Sequence, residues 1–135
     1  MKASVNFTIT TSNHIIIECK VNYINGKFII DTGASNSCID YSLVEKFNLS
    51  FIKSNEKASS ASNQISETFF SKRNNLEIAG LIKNNFELVL FDMSHINNSF
   101  KEKQIDEIDG IIGGDILRKF NAKINYLNKK ITLKL

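Results

Sequence analysis

The sequence predicts an all-β protein in which short strands are accompanied by one or two short helices. Runs rich in Ile, Val and Phe recur along the chain and are separated by turns rich in Asn, as is typical of β-hairpins. The two halves also resemble one another, because each contains a hairpin, an apolar run, a turn of small residues and a helix ending in EKFNL or RKFNA. The strand and helix alternation of a doubly wound sheet is absent. These observations favour a pseudo-twofold lobe of short strands.

The composition is that of an ordinary globular protein. The chain has 135 residues, 42% hydrophobic and 23% charged, so we expect a single domain, residues 1–135, with a substantial core. The net charge is +3 and the basic residues are scattered, which argues against a nucleic-acid partner. No apolar run suits a membrane span or a signal peptide, so we expect no membrane association and a cytoplasmic location. Cys19 and Cys38 lack metal-site spacing, and two reduced, packed thiols are expected.

The first predicted elements are a hairpin and a helix. Residues 14–21 and 27–30 are strand-like, and Asn25-Gly26 between them suits a tight turn with positive φ angles. Asp40 is then predicted to cap a helix in YSLVEKFNL, where the apolar residues recur at helical spacing.

The middle of the chain is predicted to be a polar segment followed by strands. Residues 50–66 are mostly small and polar, with no helical or strand period at their centre, so they suit a mobile hairpin or a loop. Three further strands are predicted at residues 67–72, 74–79 and 85–91, with Lys83-Asn84 in the turn between the last two.

The last third is predicted to combine a loop, a glycine turn and a hairpin. Residues 92–107 are polar and predict a loop in which His95 makes local hydrogen bonds. The segment IDGIIGGDIL predicts an apolar strand that breaks at paired glycines into a short helix capped by Asp115. These glycines fit neither GxGxxG nor GxxxxGK, so no nucleotide site is expected. A final hairpin turns near Asn128.

The stretch FIIDTGAS ends an apolar strand with a carboxylate, Asp31. An Asp at a strand end is often a structural turn residue, and the residues alone leave that role open. Gly33 permits a tight turn and the Thr32 hydroxyl can bond to nearby backbone, so the triplet can hold the carboxylate rigidly. One carboxylate is a poor acid–base catalyst, whereas two facing carboxylates that share a proton are a good one.

The second carboxylate is expected to come from a second copy of the chain. The sequence contains one DTG triplet, and its second half has Ile112-Gly113 where the internal repeat would place Asp-Thr. We do not expect Asp109 or Asp115 to be the second carboxylate, because Asp109 is predicted to lie in a loop and Asp115 to cap a helix. A twofold dimer supplies the second carboxylate, because the same Asp31 then lies on both sides of the axis.

With FIIDTGAS, a central flap-like segment and GIIGGDIL before a final hairpin, the sequence resembles the retropepsin-like aspartic proteases, the single-lobed, homodimeric relatives of pepsin. The resemblance covers residues 14–135 in order. It implies the pepsin/retropepsin-like single-lobe acid protease fold, a closed barrel-like sheet with a flap hairpin and one or two short helices. It also implies a homodimeric aspartic endopeptidase that hydrolyses a protein or peptide substrate without a metal or other cofactor.

The resemblance also implies a role for individual residues. Asp31, Thr32 and Gly33 would be the catalytic triplet, with the Thr hydroxyls bracing the opposite subunit's loop. The segment from Ile111 to Gly113 would pass beneath this loop. The implied substrate-binding residues are Ala34, Ser35, Ala61, Ser62, Asn63, Ile111 and Ile112.

The sequence departs from the family pattern in two respects, the ion pair that braces the dimer and the glycine of the flap. Retroviral proteases usually pair an acid after DTGA with an Arg after the second Gly to brace the dimer, whereas this chain has Ser35 and Gly114, so we expect other contacts, for which the terminal strands are a candidate. Ala34, by contrast, matches many retroviral forms; it lacks the hydroxyl of the pepsin-like enzymes, which predicts a less acidic working range. Residues 58–64 contain no flap glycine. An alternative therefore stays open, in which a dimer with weak or lost catalysis binds peptides or serves as an interaction module.

Overall fold

The computed structural model describes residues 1–53, 58–59, 65–66 and 69–135. The strands in this part of the chain are β1 (Lys2–Asn6), β2 (Thr8–Ile9), β3 (Ile15–Val21), β4 (Ile24–Ile30), β5 (Cys38–Asp40), β6 (Ile52–Lys53), β7 (Ala58–Ser59), β8 (Ile65–Ser66), β9 (Phe69–Ile78), β10 (Leu81–Phe91), β11 (Gly110–Ile112), β12 (Lys123–Asn125) and β13 (Lys130–Lys134). The helices are a 3-10 helix (Tyr41–Leu43), α1 (Ser94–Glu102) and α2 (Gly114–Lys119).

Six of these strands close into a barrel. The strands β3, β4, β11, β5, β10 and β9 are hydrogen-bonded in that order, and β3 also pairs with β9, which completes the ring. Two pairings are parallel, β4 with β11 and β5 with β10, and the others in the ring are antiparallel. The predicted all-β, barrel-like fold with few short helices is thus confirmed.

The first and last strands form a separate three-stranded sheet. Strand β13 lies between β1 and β12 and pairs with both in antiparallel fashion. The predicted final hairpin is therefore confirmed. Ile131 and Leu133 of β13 are each 1% exposed and belong to the main apolar core, which ties this sheet to the barrel.

The turn of the first hairpin lies three residues earlier than the sequence predicted. Asn22 and Tyr23, with φ angles of 49° and 68°, make the turn, and Asn25-Gly26 belongs to β4. Gly26 serves packing, because a Cβ there would lie 2.7 Å from the Phe28 ring and 2.9 Å from the Phe47 ring. The glycine was thus mistaken for a turn residue, although it permits close approach in a strand.

The strands β9 and β10 are longer than predicted. The expected strands at 74–79 and 67–72 merge into β9, and residues 67–68 lie outside the described part of the chain. The turn between β9 and β10 is at Ala79-Gly80, where both φ angles are positive. The predicted turn residues Lys83-Asn84 lie inside β10. The register shifts between Lys83 and Phe86, so a bulge accommodates the polar residues that resembled a turn.

The predicted helix after Asp40 is shorter than expected, whereas its cap is confirmed. The Asp40 carboxylate accepts a hydrogen bond from the Ser42 N–H, and the 3-10 helix that it begins ends at Leu43. Turns follow, and Asn48 has a φ angle of 52°, which ends any helical path. This route places the Phe47 side chain in the core, where it is fully buried.

The predicted polar loop at residues 92–107 is wrong, because most of it forms α1, which contains His95. The helix buries Phe100 in a second apolar cluster with Ile29, Met93 and Ile108. The buried Asn97 side chain donates to the Ile108 carbonyl at 3.0 Å and accepts from the Ile108 N–H at 2.8 Å. Ile108 lies beyond the end of α1 and Ile29 lies in β4, so the pattern of the polar stretch alone does not reveal these contacts.

Among the helices in the described ranges, none is long and apolar enough to cross a membrane.

We expect Asn97→Ala to lower the free energy of unfolding by about 1–3 kcal/mol, because it leaves two buried backbone groups of Ile108 without partners. Asn98→Ala is the matched control, since Asn98 is exposed on the same helix and its loss should change stability by less than about 0.5 kcal/mol. Urea denaturation measures both. Equal effects would contradict the role of Asn97 in docking α1.

Candidate active site

Asp31 lies directly after β4, at the end of one of the most constrained strands of the barrel. Strand β4 is paired with β3 on one side and with β11 on the other. The Asp31 N–H donates to the Ile112 carbonyl at 2.9 Å, so the contact with β11 continues one residue beyond the strand. The barrel thereby fixes the backbone of Asp31, while its side chain is exposed.

The carboxylate is oriented by the turn that follows it. The Gly33 N–H donates to Oδ1 of Asp31 at 3.0 Å, and the Ala34 N–H donates to the Asp31 carbonyl at 3.1 Å. Among the described residues, Oδ2 has no hydrogen-bond partner. One oxygen is thus held by the protein backbone and the other is free to meet a second group.

The active loop, which we define as residues 31–37, has an exposed outer surface and a buried inner end. Thr32, Gly33 and Ser35 are exposed, Ala34 is half-buried and Ser37 is fully buried. The Thr32 hydroxyl makes no hydrogen bond to the part of the chain that the structure describes. The polar groups at the turn of the loop therefore face outward in a single chain.

Beneath the active loop runs the segment from β11 to the start of α2. Gly114 N–H donates to the Ala34 carbonyl at 2.7 Å. A Cβ at Gly113 would lie 2.5 Å from the same carbonyl oxygen, so only glycine permits this approach. The family resemblance implied that this segment passes beneath the loop. Strand β11 pairs Ile112 with Ile30, the residue before Asp31, and Gly113 follows that pair.

The expected substrate-binding residues lie in different environments. Ile112 is 1% exposed and packs in the main core, so within one chain it supports the loop from below. Ile111 is half-buried against the second apolar cluster. Ala61, Ser62 and Asn63 lie outside the described residues.

The role of Asp115 differs from the helix cap that the sequence predicted. The residue before α2 is Gly113, which provides no side-chain cap. The Asp115 carboxylate instead accepts hydrogen bonds from the backbone N–H and the hydroxyl of Ser37. No local pattern indicated a role for Ser37, because its partner lies 78 residues away.

Cys38 also lies beside the active loop and was not predicted there. Cys38 in β5 pairs with Ile111 of β11, and its side chain is half-buried. Burial raises the pKa of the Cys38 thiol to about 11; the nearby Asp115 and Asp31 carboxylates contribute, and a hydrogen bond from the Ile111 backbone opposes the shift. The thiol is therefore neutral at physiological pH.

Within the described ranges, no group of three or more His, Cys, Asp and Glu side chains is arranged to hold a metal ion.

We expect Gly113→Ala to lower the free energy of unfolding by about 1–3 kcal/mol, because the new methyl group would overlap the Ala34 carbonyl. Gly114→Ala is the control, since a Cβ there lies 3.5 Å from the same oxygen, an ordinary contact. Thermal unfolding compares the two variants. If Gly113→Ala is as stable as Gly114→Ala, the loop and the glycine turn are not in close contact.

The thiol of Cys38 should react slowly with iodoacetamide in the folded protein. A raised pKa leaves it protonated below about pH 11, so at pH 8 its rate should be about a hundredfold below that of an unperturbed thiol. Mass spectrometry of digested samples follows the reaction, and the unfolded protein provides the reference rate. Rapid alkylation of Cys38 at pH 7 would contradict this environment.

Comparison with known proteins agrees with this geometry. The aspartyl protease family matches residues 17–116, which is more than half of the chain. No curated protein sequence matches significantly.

Three solved structures share the fold at low sequence identity. A retropepsin-like aspartic protease from Rickettsia conorii has a TM-score of 0.62 and 17% identity, covering 98% of this chain and 90% of that one. The retroviral protease-like domain of Ddi1 from Leishmania major has a TM-score of 0.61 and 17% identity, with coverage of 89% and 87%. The EIAV protease complexed with the inhibitor HBY-793 has a TM-score of 0.58 and 17% identity, with coverage of 87% and 98%. The family match and the shared barrel together lead to one conclusion: the chain belongs to the aspartyl protease family and has a retropepsin-like fold.

Proposed function

We propose that this protein is an aspartic endopeptidase whose active site forms between two copies of the chain, with Asp31 from each copy. The observation that supports this proposal most directly is the exposed carboxylate of Asp31, which is held by the Gly33 N–H on a turn fixed by the barrel. A rigid, solvent-facing carboxylate in a chain of the aspartyl protease family is suited to catalysis.

The acids nearest to the glycine turn support a dimer, because each is already engaged within the chain. Asp115 accepts two hydrogen bonds from Ser37. Asp109 accepts from the Lys27 N–H at 2.9 Å and lies 3.6 Å from the Lys46 ammonium. The chain has one DTG triplet, so a twofold axis through the active loop is the simple source of a second free carboxylate.

In the proposed reaction, the two Asp31 carboxyl groups share one proton and hold a water molecule between them. The ionised carboxylate takes a proton from the water, and the water oxygen bonds to the peptide carbonyl carbon. The protonated carboxyl donates its proton to the carbonyl oxygen, which gives a neutral gem-diol. The amide nitrogen then takes the proton that one Asp31 gained from the water, and the C–N bond breaks. The other Asp31, now ionised, takes a proton from a hydroxyl of the diol as the C=O bond re-forms, so the products are an amine and a carboxylic acid and the dyad again holds one proton.

The substrate would be an extended peptide that crosses the dimer axis. Its backbone would pair with exposed backbone groups, as in other β-strand additions, and its side chains would lie against Ala34, Ser35 and Ile111. Ala61, Ser62 and Asn63 remain part of this proposal as the covering residues.

The dimer would be held by the active loop and by the terminal sheet. Thr32 is free among the described residues to bond to the opposite loop. The terminal sheet leaves the outer edges of β1 and β12 without a strand partner in the described chain, so either edge can accept a strand from a second copy. These contacts would replace the ion pair that Ser35 and Gly114 do not provide.

Asp31→Asn should lower kcat for peptide cleavage by about 10²–10⁴-fold, because the amide cannot share or transfer the proton. The amide oxygen can still accept from the Gly33 N–H, so the fold and the dimer should persist. Cleavage of a peptide library followed by mass spectrometry at pH 4–8 measures activity, and ultracentrifugation measures the oligomeric state. Asp106→Asn is the control, since Asp106 is highly exposed and pairs only with Lys27 among the described residues.

The outcomes separate the competing hypotheses. Equal cleavage by wild type and Asp31→Asn would show that another group is catalytic. A strict monomer without cleavage would refute the enzyme proposal. A dimer that binds peptides without cleaving them would support the alternative of an interaction module.

A further inference from the structure

Ser37 is the centre of a buried hydrogen-bond network that joins the active loop to α2. Its residue is fully buried. Its N–H donates to Oδ2 of Asp115 at 3.0 Å, and its hydroxyl donates to Oδ1 at 2.7 Å. The same hydroxyl accepts from the Gly113 N–H at 2.8 Å. One side chain thus links the end of the active loop to the segment beneath Asp31.

The network acts together with the backbone contacts of the active loop. The Ser37 carbonyl accepts from the Val89 N–H at 3.0 Å, which fixes this residue to β10. The middle of the loop is held at the Ala34 carbonyl, which accepts from the N–H of Gly114 in the glycine turn, Gly113-Gly114. The start of the loop is held at the Asp31 N–H, which donates to the Ile112 carbonyl of β11. The loop is therefore attached to the barrel at its start, middle and end, and Asp115 provides the side-chain part of that attachment.

The chemistry of Asp115 makes this attachment strong. Hydrogen bonds to an ionised carboxylate are shorter and about twice as strong as neutral ones. Among the described residues, no Lys or Arg lies within ion-pair distance of Asp115, so its two oxygens are directed to Ser37 without competition from a cation. Because both of its oxygens bind Ser37, Asp115 neither caps α2 nor serves as a second free carboxylate.

We propose that Asp115 and Ser37 are positioning residues that align the Asp31 carboxylate for catalysis, an inference that rests on the proposed function. Catalysis between two copies needs both carboxylates in one geometry, and an error of about 1 Å can cost about 10²-fold in rate. Loss of the network leaves the end of the loop held by the Val89 N–H at the Ser37 carbonyl without the side-chain bonds, and the added disorder lowers the fraction of dimers with aligned carboxylates. The effect falls mainly on kcat, because the chemical step needs the mutual geometry of the two carboxylates, whereas peptide binding is shared by the active loop, Ile111 and the backbone pairing of the peptide.

The test compares Asp115→Ala, Asp115→Asn and Ser37→Ala with wild type. We expect Asp115→Ala to lower kcat by about 10²-fold and to change KM by less than about threefold. Asp115→Asn should rescue most of kcat, because its amide oxygen can accept from the Ser37 N–H and its NH₂ can donate to the Ser37 hydroxyl. Ser37→Ala should give a smaller loss, since its backbone bond to Asp115 remains. Asp106→Ala, on the exposed side of the Lys27 ion pair, serves as a control for the loss of an acid.

A second measurement does not depend on activity. Amide hydrogen exchange followed by NMR should show faster exchange at Ser37 and Gly113 in Asp115→Ala, with Asp106→Ala unchanged. If wild type does not cleave peptides, the proposed function fails, and the exchange rates alone decide whether the network holds the loop. If wild type cleaves and Asp115→Ala keeps its kcat, positioning is refuted and the network is only structural. Should Asp115→Ala fail to fold, Ser37→Ala decides, and an unchanged kcat there overturns the proposal.

Discussion

The parallel pairing of β4 with β11 is the constraint on which the rest of the site depends. It joins Gly110–Ile112 to Phe28–Ile30, segments separated by about 80 residues, and it places the glycine turn beneath the active loop. Strand β11 has only three residues and is paired on both sides, with β4 and with β5. Gly110 allows this crowding, since a Cβ there would lie 2.3 Å from the Cys38 carbonyl oxygen. The three residues of β11 therefore determine the position of the Asp31 backbone.

The site divides its tasks between exposed and buried residues. Asp31 and Thr32 face outward, whereas Ser37 and Ile112 are buried and support them from within. The exposed residues make few contacts within the chain, which leaves their polar groups free for a partner or a substrate. The buried residues are fully hydrogen-bonded or packed, and no buried polar side-chain atom in the described residues lacks a partner. The buried side chains thus hold the active loop in place, whereas the exposed side chains supply the polar groups that can bind a partner or a substrate.

Much of the fold was predictable from local patterns, and the failures have physical reasons. The first hairpin, the Asp40 cap and the final hairpin follow from strand periodicity and capping chemistry, which act over a few residues. Helix α1 was missed because its stability depends on Asn97 and Ile108, partners that a polar stretch does not reveal. The prediction that Gly26 lies in the hairpin turn was wrong, because close packing, not backbone conformation, requires this glycine. For the candidate site, DTG indicated Asp31, whereas the pairing of Ser37 with Asp115 joins residues 78 positions apart and has no local signature.

The sheet formed by the chain ends has a consequence for how the protein folds. Strand β1 is synthesised well before its partner β13, and their contacts join residues as far apart as Lys2 and Lys134. Contacts of such long sequence separation slow folding, because the entropy of loop closure opposes them until most of the chain is in place. During synthesis β1 must therefore wait with an unpaired edge that other strands can recognise. A chaperone that covers β1 until β13 has been synthesised would therefore reduce mispairing of this strand.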